Sequence, residues 1–85
     1  MDDRGYSSRI VRANELADPK NIGVLLGRLC IKKEFPVADV AEHFGVSRMT
    51  VYNWFSGRMR PRQQWAEKIQ SFLDKFSDER GGEDG

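Results

Sequence analysis

The sequence predicts an all-α fold, a compact bundle of four to five helices, and three observations carry that prediction. Apolar residues recur at helical spacing in three windows: Ile22-Leu25-Leu26-Leu29, Val37-Val40-Ala41-Phe44 and Trp65-Ile69-Phe72-Leu73-Phe76. Pro19 falls just before the first window, and Pro36, Gly45, Gly57 and Pro61 fall between windows, where helices start and stop. No stretch reads convincingly as a strand. Helices are expected over about 20–33, 37–44, 48–56 and 61–76, with a further short one near 9–17.

Eighty-five residues make one small domain with one modest core. No apolar run reaches membrane length, so no spanning helix is expected. The opening MDDRGYSS has none of the apolar character of a secretory signal. A lone cysteine, Cys30, cannot close an internal disulfide, which points to a reducing, cytoplasmic setting. The net charge of +1 conceals segregation. Residues 1–18 carry three cations against four anions, residues 19–65 eight against three, and residues 66–85 three against six. The middle of the chain is thus +5, flanked by segments of −1 and −3. A localised basic region of this kind is an electrostatic footprint for nucleic acid.

Residues 1–18 read as an N-terminal arm. Ile10, Val11, Leu16 and Ala17 could pack as one short turn. Arg4, Arg9 and Arg12 allow a basic arm that follows a groove, and the interleaved acids equally allow a frayed terminus with one anchor. Pro19 opens the first long helix with Asp18 as its cap, and Ile22, Leu25, Leu26 and Leu29 form its buried stripe with Cys30 beside it. Gly23 and Gly27, four apart, allow a second helix to approach closely. Lys32 and Lys33 suit the negative end of the same helix and could also touch phosphate. Phe35 plugs the core, and Pro36 forces a break.

Residues 37–57, VADVAEHFGVSRMTVYNWFSG, organise the rest. Val37, Val40, Ala41 and Phe44 make one buried stripe. Gly45 supplies a left-handed exit, and Ser47 stands as the cap of the next helix. His43 reads as a surface histidine near a helix C-terminus. Val51, Trp54 and Phe55 face inward on the second helix, while Arg48, Met49, Tyr52 and Asn53 face outward.

Ala41, Gly45, Val46, Ser47, Val51 and Trp54, followed by Gly57 and Pro61, resemble a helix-turn-helix of the phage repressor and Cro type. The resemblance covers roughly residues 20–73 and implies a lambda-repressor-like DNA-binding domain. Phe55 departs from it, since this family often carries a charge there; it is either buried or an exposed contact for a partner. The resemblance implies that Arg48, Met49, Tyr52 and Asn53 face bases in the major groove. Ser47, Thr50 and the loop arginines Arg58, Arg60 and Arg62 would hold phosphate.

Pro61 is expected to start the last helix, whose stripe runs from Trp65 to Phe76. Phe72 and Phe76 serve either a homodimer contact or packing against Ile10, Val11 and Leu16. Residues 77–85 have no apolar residue and read as a disordered acidic tail beyond a domain of residues 19–76. One cysteine and one histidine make no catalytic constellation or conventional zinc site, so neither an enzyme nor a cofactor is expected. The leading expectation is a sequence-specific binder of double-stranded DNA, a small phage-like transcriptional regulator or repressor at the nucleoid of a bacterial or phage-infected cell. The alternative is a helix-turn-helix scaffold whose exposed Phe55, Met59 or Phe76 binds a protein partner, as a polymerase-targeting or DNA-packaging accessory.

Overall fold

The computed structural model describes residues 6–84, with side chains over residues 6–76. Five helices follow in order: α1 Ser8–Leu16, α2 Ile22–Lys33, α3 Val37–Phe44, α4 Arg48–Ser56 and α5 Gln63–Asp84. Among the described residues there is no strand. The protein is an all-α bundle, and α3 and α4 form a helix-turn-helix with the bounds that the apolar pattern predicts.

Helix α1 begins where the Ser7 hydroxyl accepts the Ile10 N–H at 3.3 Å. It belongs to the core rather than trailing from it. Tyr6, just ahead of it, is buried with its ring 5.7 Å from that of Phe55. Ile10 and Val11 pack on the same cluster, but Leu16 is 76% exposed and takes no part in the expected apolar turn. Residues 1–5, and with them Arg4 of the expected basic arm, lie outside the described residues.

Helix α2 starts at Ile22, two residues later than expected. The Asp18 carboxylate is spent on the Lys20 N–H in a tight turn, at 2.9 Å. Asn21 provides the cap instead, its side-chain oxygen accepting the Gly23 N–H at 2.9 Å. The expected stripe is also shifted. Leu25 is exposed, and the buried residues are Gly23, Val24, Leu26, Gly27 and Cys30. The cause is α4, which crosses α2 over the two glycines. A methyl on Gly23 would stand 3.0 Å from the Trp54 Cβ, and one on Gly27 would stand 2.8 Å from the Phe55 ring. The two glycines therefore join Val24, Leu26 and Cys30 on the buried side, and Leu25 is turned out to solvent.

Cys30 lies fully buried in this core, and desolvation pushes its thiol up to about 12. Both α2 and α3 end in left-handed residues, Glu34 and Gly45, with the following N–H groups of Phe35 and Val46 returning to Cys30 and Ala41 carbonyls.

Helix α5 starts at Gln63, not Pro61, since Arg62 supplies the carbonyl that accepts from Trp65 and Ala66. Pro61 is buried beside Gly23 instead. Trp65 donates its indole N–H to the Phe44 carbonyl at 3.1 Å, tying α5 to the end of α3. Phe72 and Phe76 seat on neither α1 nor open solvent alone. Phe72 lies 5.6 Å from Phe44 and 5.3 Å from His43, and Phe76 lies 5.2 Å from Phe35. They line a shallow pocket of about 250 Å³ with Phe35, Pro36, Val40, Asp39 and His43. The helix runs on through Asp84, across the stretch expected to be a tail; no proline stops it, and composition alone could not set its end.

Candidate nucleic-acid interface

The candidate interface centres on α4, and α4 is placed by its inner side. Val51, Trp54 and Phe55 are all buried, with Trp54 edge-on to Phe44 at 6.1 Å and tilted toward Trp65 at 6.1 Å. Phe55 is fully enclosed, which removes it from the exposed contacts considered for a protein partner. The helix is therefore held along its rear, and Tyr52 at its flank also packs partly against the core.

On that front Arg48 is exposed, Met49 is 65% exposed, and Tyr52 and Asn53 are half-buried. The spacing 49, 52, 53, 56 is one outward helical stripe, so Ser56 joins the face. Its hydroxyl leans on the Asn53 carbonyl at 3.4 Å. The periodicity could have found Ser56; its small size concealed it. At the N-terminus the Ser47 hydroxyl accepts the Thr50 N–H at 3.1 Å and lies 3.1 Å from the Thr50 hydroxyl. Both hydroxyls expected to hold phosphate thus already serve the cap, with one O–H of the pair left to donate outward.

The loop after α4 is anchored at each end. Gly57 closes the helix with φ 82°, and a side chain there would press on Ala17 of the α1 exit. The Met59 N–H donates to the Asn53 carbonyl at 3.1 Å, and Pro61 is buried. Between and beyond these anchors Arg58, Arg60 and Arg62 are exposed. The fold thus brings the outward residues of α4 and the three loop arginines together on one connected segment.

Arg28 is different from the other cations of the basic middle. Its guanidinium donates to the carbonyls of Asn14 and Glu15 at 3.3 Å and of Ala17 at 3.4 Å, capping the end of α1. It is a fastening between helices, a role that its charge alone does not distinguish from that of a surface cation. Among the described residues, no group of His, Cys, Asp and Glu gathers to hold a metal ion. No described helix is long and apolar enough to cross a membrane.

These features define a helix-turn-helix protein. Residues 26–58, from within α2 to just past α4, match the family model of a homeodomain-like domain. That stretch is less than half of the chain, and it is similar to a homeodomain-like unit rather than to the phage repressor and Cro type in particular. Comparison with curated proteins gives no match, and comparison with solved structures gives none.

Proposed function

We propose that this chain is a sequence-specific double-stranded DNA-binding protein, a small transcriptional regulator that reads the major groove with α4. One observation carries the reading. A helix clamped along its rear presents Arg48 and Met49 outward beside the half-buried Tyr52 and Asn53, and runs directly into a pinned loop of three exposed arginines. In this reading Arg48 takes guanine through O6 and N7, Asn53 takes adenine through N6 and N7, and Met49 meets a thymine methyl. Ser47, Thr50, Arg58, Arg60 and Arg62 hold phosphates on either side and fix the register. The homeodomain-like match over residues 26–58 supports the same reading.

The regulatory action we favour is repression by occupancy, in the manner of a small phage-like repressor, because a bound domain blocks polymerase without extra surfaces. Two copies pairing through Phe72 and Phe76 would use the outer parts of rings already seated on Phe35 and His43. Such a dimer would call for half-sites about 10–10.5 base pairs apart. The protein-scaffold alternative loses Phe55 as a contact and gains no other support.

The test is selection of bound duplexes from a random pool at two salt concentrations. A defined site should emerge, and affinity for it should fall with a log–log salt slope near about −4 to −5, as for about five neutralised phosphates. A pool that stays random, or binding indifferent to salt, would overturn the proposal.

A further inference from the structure

Met59 stands out as an exposed apolar residue set between two exposed arginines on a hydrogen-bonded stretch of backbone. The residue is 48% exposed, while its near neighbour Pro61 is buried and its immediate neighbours Arg58 and Arg60 are exposed. A single exposed apolar residue is ordinary on a protein surface. This one, however, is held in place. Its N–H is bonded to the carbonyl of Asn53, a residue of the outward face of α4, at 3.1 Å. The left-handed turn at Gly57 and the seating of Pro61 beside Gly23 fix the loop before and after it. The backbone is therefore rigid where the side chain is most adaptable, an unbranched thioether that fits irregular apolar surface.

Resting on the DNA-binding reading above, we infer that Met59 is a further DNA contact, its thioether seated on the apolar face of a deoxyribose between phosphates held by Arg58 and Arg60. The Asn53–Met59 hydrogen bond sets the distance between this contact and the base-reading face. The contact adds apolar area without adding charge, and that combination separates it from its neighbours in an experiment.

The experiment titrates the full chain and its Met59→Ala, Met59→Leu and Arg60→Ala variants against the duplex recovered by selection, across a salt series, with thermal melting of each protein alone. Met59→Ala should weaken binding about 3- to 10-fold, the loss expected for one or two methylene-sized groups left uncovered. Its salt slope and melting temperature should match those of the parent. Met59→Leu should bind within about twofold of the parent, since the apolar cover is kept. Arg60→Ala should instead reduce the slope by about 1. If the parent binds and Met59→Ala binds equally well at every salt concentration, the inference is overturned while the DNA-binding reading stands. If the parent selects no duplex, both fall together.

Discussion

Asn14 and Phe55 lie 41 residues apart in the chain, and the Asn14 side-chain amide donates to the Phe55 carbonyl at 2.8 Å. That carbonyl is among the last four of α4, which have no partner within their own helix. The same amide also reaches the Val24 carbonyl on α2 at 3.0 Å. One buried polar side chain of α1 thus joins both helices behind the outward face. Asn14→Ala should remove both bonds, leave the Phe55 carbonyl buried without a donor, and destabilise the fold by about 2–3 kcal/mol. Urea unfolding followed by tryptophan fluorescence would measure it. A loss below about 0.5 kcal/mol would show that water replaces the amide.

The glycines offer a second test because two of them are required for opposite reasons. A methyl on Gly27 would stand 2.5 Å from the Asn14 amide nitrogen and 2.8 Å from the Phe55 ring. Gly27→Ala gains about 1 kcal/mol of helix propensity. It should nevertheless lower stability by about 1–3 kcal/mol, since α4 must lift away. Gly45 has open space around it but sits at φ 70°. Gly45→Ala should cost about 1 kcal/mol through backbone strain alone. Melting temperatures that rank the two in the opposite order would mean that α4 slides over α2 freely.

Arginines that look alike in sequence should behave differently. Arg28→Ala removes the guanidinium from three carbonyls at the end of α1 and should lower stability by about 1–2 kcal/mol while leaving the salt slope of DNA binding unchanged. Arg58→Ala or Arg62→Ala should do the reverse, reducing the slope by about 1 with little effect on melting. Arg48→Glu should abolish site-specific binding with folding intact. Paired titration and melting experiments distinguish these outcomes.

Cys30 ties stability to alkaline pH. Its thiol is raised from 9.0 to about 12 by burial. Below pH 9 the folded and unfolded chains both keep the proton. Between those values only the unfolded chain releases it, so the unfolded state is favoured and stability falls as pH rises. The slope is about 1.4 kcal/mol per pH unit from this group. Cys30→Ala should start from a lower stability and lack that part of the slope. Native protein at pH 8 should resist a thiol reagent that labels the urea-unfolded chain at once.

The sequence and the structure agree most closely over residues 37–56, where several local signals coincide. There the apolar stripe, the Gly45 exit and the Ser47 cap all specify the same boundaries. They diverge where a residue's role depends on a distant partner. Pro61 has the look of a helix start, yet its ring is needed beside Gly23. Leu25 fits the apolar period of α2 but is displaced because α4 needs the glycines underneath it. Asn14 gives no periodic signal at all, being polar, and only the fold reveals that it is 2% exposed. The exposure of Arg48 and Met49 on α4 could be read from spacing alone, while the partial burial of Tyr52 against the core could not. The fastening of the arginine loop to Asn53 could not, because it is a main-chain bond that no side-chain pattern encodes.

The covering of α4 from behind has a practical corollary for anyone who would transplant this helix-turn-helix. The stretch that matches the homeodomain-like model stops at residue 58, but Tyr6, Asn14, Trp65 and Ile69, which roof Phe55 and Trp54 or brace α3, all lie beyond its limits. A graft of residues 26–58 alone would expose two large aromatic rings and collapse or clump. The smallest portable unit runs from Tyr6 to at least Phe72, and a fusion partner joined just ahead of Tyr6 needs a spacer so that its own bulk does not pry the tyrosine loose.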